Sequence, residues 1–390
     1  MSKLPLGWKQ TEISENIKFS GGAQPPRSVF SFEPQEGYIR LIQIRDYKTD
    51  KFATYIPKGL AKKLCDEDDI MIGRYGPPIF QILRGINGAY NVALIKAIPQ
   101  KHLHKEYMYY FLKKESLLKF IESFSQRTSG QTGIEMDMLN TYPMPLPPLP
   151  EQIKIAKILS TWDNAINTVQ KLLANSQQQK KALMQQLLTG KKRFAGFEEE
   201  WDFLKASEIF KPVSKRNNGE ADLLAVTQDQ GILPRHLLDR RVVMPEGNTE
   251  GYKLVEKGNF VISLRSFQGG IEYSNYRGLV SPAYTILDAH CQIVNEFYRH
   301  YFKSYNFIGH LAVAVVGIRD GKQISYSDFS FIKLPNPLLE EQQKIAAVLT
   351  TADQEIDNLR AQLSRLEKEK KALMQQLLTG KRRVKVEEAA

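Results

Sequence analysis

A chain of 390 residues has room for two or three domains, and a hydrophobic content of 42% is enough to build real cores. No run is apolar for long enough to span a bilayer and the opening MSKLPLGWKQ lacks the apolar stretch of a secretory leader, so the expectation is a cytoplasmic protein with no membrane contact. A formal net charge of +11 favours an anionic partner such as nucleic acid.

Residues 1–149 form the first variable part. Trp8 opens it, residues 38–44 alternate like a strand, and residues 69–72 read as a turn followed by a second strand. A loop GRYGPP follows at 73–78, and Asn87-Gly88 marks a tight turn. Residues 107–124 have helical spacing, and a polar loop QRTSGQTG closes the part at 126–133.

Next comes the stretch that the chain contains twice. The copy from 151 to 193 begins EQIKIAKIL and ends KKALMQQLLTGKKR; the copy from 341 to 383 begins EQQKIAAVL and ends KKALMQQLLTGKRR, at a constant offset of 190. Such a repeat predicts two similar halves, each a variable globular part followed by a shared helix. In copy one Ile155, Leu159, Trp162, Ile166, Val169 and Leu173 alternate in steps of four and three, Ser176 and Lys180 interrupt, and Leu183 and Leu187 resume. Copy two carries Ile345, Leu349, Ala352, Ile356, Leu359, Leu363 and Leu366 at the matching places. This is a coiled-coil seam, and the offset makes the two helices natural partners for each other. Proline-rich approaches and acidic first turns mark both starts, and Gly190 and Gly380 mark both ends. Ala156, Ile158 and Ala165, with Ala346, Val348 and Glu355, lie beside the seam, where they either widen the core-facing stripe or offer surface to another protein.

Residues 191–337 repeat the order of the first part loosely: Trp201, a strand near 223–226, a second near 259–264, the run RSFQGG at 265–270, helical spacing at 297–307 and a polar loop GIRDGKQ at 317–323. The second helix is expected over 338–383, with a tail at 384–390. No adenine-methyltransferase motif, phosphate loop or metal-ligand spacing supports an active site. The acidic run at 66–69 reads as a solvated turn, and Cys65 and Cys291 as buried thiols.

The PLPPLPEQ approach at 145–152, the twin helices ending ALMQQLLTGK, the run VISLRSFQGG at 261–270 and SPAY at 281–284 give the chain a family resemblance. It resembles the DNA-specificity subunits (HsdS) of type I restriction–modification systems over essentially its whole length. The resemblance implies an α+β fold with two target-recognition-like domains separated by two long helices that pair as an antiparallel coiled coil, a pseudo-two-fold internal repeat. It implies a non-catalytic subunit without a cofactor of its own. Its partners would be double-stranded DNA, read as a bipartite asymmetric site, two modification subunits that methylate adenine, and restriction subunits. A basic coiled-coil scaffold without readout, and an enzyme with an unrecognised site, are the competing readings.

Arginine can bond both acceptors of guanine, and glutamine can bond adenine through two bonds. The candidate DNA-binding residues are therefore Gln43, Arg45, Arg74, Tyr75, Gln81, Arg84, Gln131 and Thr132 in the first part. In the second they are Gln228, Arg265, Ser266, Gln268, Arg277, Arg319, Lys322 and Gln323, with Lys215 and Arg216 placed as phosphate contacts.

Overall fold

The computed structural model describes residues 4–128, 131–216, 221–228, 230–238, 251–264, 266–314 and 324–386, with the backbone alone at 126–128, 131–132, 267 and 312–314. The chain divides into two compact units, Met1–Val169 with Gln362–Ala390, and Gln170–Ala361. Each unit takes one variable part, the start of the helix that follows it, and the end of the other helix. The long helices are Leu149–Leu187 and Leu339–Leu377, each 39 residues and offset by the repeat.

In the first unit, strands Ile17–Gly21, Leu94–Pro99, Ile70–Gly73 and Gln81–Leu83 form one antiparallel sheet in that spatial order. A second sheet orders Tyr55–Pro57, Tyr38–Ile42, Gly88–Tyr90 and Leu64–Cys65. The Asn87-Gly88 turn expected from sequence is instead the entry to a strand. Gly88, with φ of +147°, lies so close to the neighbouring strand that a Cβ would meet the Arg40 carbonyl at 2.7 Å. The helical run at 107–124 is two helices, Lys105–Leu112 and Glu115–Phe124.

The second unit repeats the first sheet with strands Phe210–Val213, Thr285–Ala289, Phe260–Ile262 and Glu272–Tyr273 in the same order. Its helices Asn295–Tyr301 and Tyr305–Ala314 match the first unit's pair. Phe210, Phe260, Tyr298, Phe302 and Phe329 pack there as a cluster of edge-to-face and tilted rings. Cys65 is buried and its thiol is pushed up to about 11 by burial, whereas Cys291 is exposed, against expectation.

Both helix starts are locked alike. Glu151 is buried and accepts hydrogen bonds from Trp8 Nε1 (3.1 Å) and from Arg383. Glu341, also buried, accepts from Trp201 Nε1 (2.9 Å) and from Arg193 through Nε (2.8 Å) and Nη2 (2.7 Å). The adjacent Gln152 and Gln342 satisfy the turn before each helix through Pro147 and Pro337 carbonyls at 2.9 and 2.8 Å. Thus the arginine that ends each helix holds the glutamate that begins the other. Gly190 and Gly380, at φ of +68° and +74°, take the left-handed turn that ends each helix.

Ile155, Leu159, Ile166, Ile345, Leu349 and Ile356 are buried, and Trp162, Leu173 and Leu363 are half-buried. The seam's polar interruptions have partners within their own unit. Lys370 pairs with Asp163 in the first, and Lys180 with Asp353 in the second. Ser176 donates to Glu355 at 2.9 Å, where the repeat carries Leu366 and Ala165. In each unit these partners follow one another in opposite chain directions, so the helix segments run antiparallel. Ala156 and Ala346 are buried and widen the core-facing stripe, Ile158, Ala165 and Val348 are half-buried, and Glu355 is exposed with Ser176 as its partner.

One pair of repeat positions differs in chemistry. Tyr110 donates to Asp163 at 2.8 Å in the first unit, and the second has His300 there, its Nδ1 3.7 Å from Asp353. Burial, with the Lys180 charge next, pushes His300 down to about 4. It is therefore neutral at pH 7, and Lys180 is the cation that holds Asp353. An unfolded histidine binds its proton at about 6.5, so between about 6.5 and 4 the unfolded chain holds more protons and stability falls as pH falls. The urea midpoint of the second unit should drop from pH 7 to pH 5, and His300→Tyr should abolish His300's share of that drop. A His300→Tyr chain as acid-sensitive as the parent would contradict this.

Candidate nucleic-acid interface

Of the residues selected from sequence in the first unit, several are already engaged. Arg84 donates from Nη1 to both oxygens of Glu106 at 3.0 and 2.9 Å and stacks 3.9 Å from the Tyr109 ring centre. Gln81 donates to the Pro78 carbonyl at 2.9 Å. Gln43 donates to Thr54 Oγ1 at 3.1 Å, and Arg45 to the Phe52 carbonyl at 3.3 Å. Arg74 differs. Its guanidinium lies 5.3 Å from the Tyr75 ring centre, and among the described residues it has no ion pair or side-chain hydrogen bond. The strand ending at Gly73 and a bridge between Tyr75 and Gly133 fix its place. The side chains of Gln131 and Thr132 lie outside the described residues.

In the second unit the structure gathers a basic surface. Lys215 and Arg277 flank Glu256 at 3.8 and 3.3 Å, with Arg277 56% exposed. Lys253 donates to the Tyr284 carbonyl at 2.6 Å, and its pKa is lowered by burial first and by the Arg216 charge second. Two cations therefore share one carboxylate and two more sense each other's charge, an excess that suits phosphate. Gln228 is exposed and lines a polar cleft of about 500 Å³ with Gln230, Tyr276, Arg299 and Arg360. Gln268 is exposed as well. Ser266 is not: it is 1% exposed and its hydroxyl accepts from the Ser263 amide at 2.8 Å, which ties Ser263 to the start of the short helix Ser266–Gly269. Arg265, Arg319, Lys322 and Gln323 lie outside the described residues.

Among the described residues no group of histidine, cysteine or acidic side chains could hold a metal, and no helix is long and apolar enough to cross a membrane. The acidic turn at 66–69 is neutralised instead: Lys105 reaches Asp68 at 2.7 Å and Lys96 pairs with Asp69.

A second pair of surfaces was not legible as such in the sequence. In the first unit an open groove of about 740 Å³ lies between the end of the second long helix and the helix Glu115–Phe124. Lys113, Lys370, Lys371, Met374 and Gln375 line it, and Lys114, pushed down to about 8 by burial, sits there over the Phe111 and Tyr142 rings. The second unit has a groove of about 330 Å³ lined by Lys303, Lys180, Lys181, Met184 and Gln185, the same positions less 190 for the helix and plus 190 for the lysine. The signal was present in the repeat: KKALMQQLLTGK is identical in both copies, even at the exposed Lys181, Ala182, Gln185 and Gln186. A helix pair needs only its apolar pattern kept.

Two α+β units of like topology, with unlike polar surfaces and shared helices, define a duplicated recognition protein. The model of the type I restriction modification DNA specificity domain matches residues 5–175 and again 198–368, and the chain belongs to that family. It is a recognition component of a type I restriction–modification system and not its enzyme. The chain is 28% identical over 414 residues to the type I restriction enzyme MjaVIII specificity subunit of Methanocaldococcus jannaschii, covering 98% of this chain and 95% of that one. It is 29% identical to the putative MjaX specificity subunit of the same organism, over 90% and 83% of the two chains. It shares its fold with the crystal structure of an S subunit from M. genitalium, at a TM-score of 0.62 and 16% identity over 97% and 98% of the chains. A chain from a structural study of assembly and conformational transition in a type I system aligns at a TM-score of 0.58 and 16% identity, over 97% and 100%.

Proposed function

We propose that this chain reads a bipartite, asymmetric site on double-stranded DNA, one half through each unit. In this reading it docks two adenine-methylating modification subunits at the two lysine-bordered grooves, and restriction subunits join that complex. One observation carries the reading. The helix ends, the groove wall that they form and the lysine facing it are repeated down to exposed side chains, whereas the polar surfaces that precede them are not. Repeated surface suits two copies of one partner, and divergent surface suits two different DNA sequences. The recognition domains are 1–149 and 191–337, and the helices at 150–190 and 338–383 are the shared elements.

The test is stoichiometry. Lys181→Glu and Lys371→Glu each reverse a charge beside one groove. Mass photometry of the chain with its modification subunit should show two copies bound by the parent, one by each single variant and none by the double variant. Two copies on the double variant would reject the grooves as docking sites.

A further inference from the structure

The segment after the strand Tyr38–Ile42 is built as a rigid knuckle with one apolar ring at its tip. Phe52 is 50% exposed, an unusual place for a phenylalanine to be held still. Everything around it is tied down. Arg40 pairs with Asp50 at 2.7 Å. Thr49 caps the turn Asp50–Phe52 by accepting from the Lys51 amide. The buried Thr54 takes the Gln43 amide, and Asp46, also buried, accepts from the Gln43 backbone at 2.9 Å. Arg45 holds the Phe52 carbonyl. Two cations also face the ring itself, Arg45 at 5.7 Å and Lys51 at 5.5 Å from its centre.

Gln43 and Arg45, selected from sequence as base readers, thus serve as brackets, and the group they present is Phe52. A half-exposed ring bordered by two cations suits a nucleobase: the base stacks where the ring is open to solvent and the cations lie where its flanking phosphates run. An exposed ring on a mobile loop would lose much of that gain to ordering; here the ordering is already done. We propose that Phe52 stacks on a nucleobase at an opened step of the half-site that the first unit reads. Arg45 is then a positioning residue. The proposal rests on the first unit reading DNA.

The test uses the full chain with its modification subunits and a cognate duplex carrying 2-aminopurine at successive positions of that half-site. The parent complex should change the fluorescence at one step. Phe52→Ala should remove that change and weaken binding about tenfold or more, as loss of one stacked base does. It should leave the salt dependence unchanged, because no charge is lost. Phe52→Trp should retain both signals, and Phe52→Leu should behave like the alanine variant. A leucine variant that matches the parent would mean that apolar bulk suffices and would overturn stacking, as would an alanine variant with parental affinity and fluorescence. An alanine variant that fails to fold would make the ring structural and overturn the proposal too. A parent complex that does not distinguish cognate from scrambled DNA would instead overturn the recognition reading beneath it.

Discussion

A chain truncated after Gly196 should assemble as a two-fold dimer and, with its modification subunits, methylate a symmetric two-part site built from the first unit's half-site and its inverted copy. The full chain's first unit needs the end of the second long helix: Leu373, Met374, Leu377 and Leu378 join its core, Lys370 pairs with Asp163, and Arg383 holds Glu151. The truncated chain carries Leu183, Met184, Leu187, Leu188, Lys180 and Arg193 at the matching places. It cannot use them on itself in the same way, but a second copy can, and the exchange is reciprocal, which closes an isologous dimer. The weak point is Ser176, which loses Glu355 and meets the apolar environment of Ala165. Ser176→Leu, the residue that the repeat carries at 366, should therefore tighten the dimer. Sedimentation reads the assembly and methylation mapping reads the site. A monomer, or a dimer that still methylates the parental asymmetric site, would contradict the exchange.

Inserting one heptad into each long helix, after Ala174 and after Ser364, should change the spacing between the two halves of the site and leave both half-sequences as they were. Seven residues preserve the seam's register. They add about 10 Å of helix at about 1.5 Å per residue. With DNA rising about 3.4 Å per pair, the gap should grow by about three pairs if the helices act as the spacer between the two half-sites. Three pairs also turn the duplex by roughly a third of a turn at about 10 pairs per turn, which weakens binding. Methylation mapping decides the outcome. Altered half-sequences at an unchanged spacing would reject the spacer role.

The helices were the most legible part of the sequence. Their apolar steps, proline approaches and terminal glycines are local signals, and local signals survive in a single chain. The reasons for the seam's defects were not legible. Lys180 and Lys370 read as interruptions because Asp353 and Asp163 lie 173 and 207 residues away. Glu151 and Glu341 read only as acidic first turns, although each is the buried hub of a tryptophan and an arginine. The recognition surfaces were legible by residue type alone. Type does not reveal that Arg84 pairs with Glu106, that Ser266 is tied to Ser263, or that Gln43 and Arg45 support a ring. Those facts depend on neighbours brought in by the sheets, and a loop's composition carries no trace of them.

The central claim is that two units read two halves of one site. Adenine methylation mapped across the genome of cells carrying the complex tests it most directly, for the parent and for a variant with Gln228→Ala and Gln268→Ala in the second unit. The parent should mark one asymmetric motif in two parts with a fixed gap. The variant should keep one part and relax the other, each lost base contact weakening discrimination by about 1–3 kcal/mol. A single uninterrupted motif for the parent, or a variant that relaxes both parts together, would contradict the account.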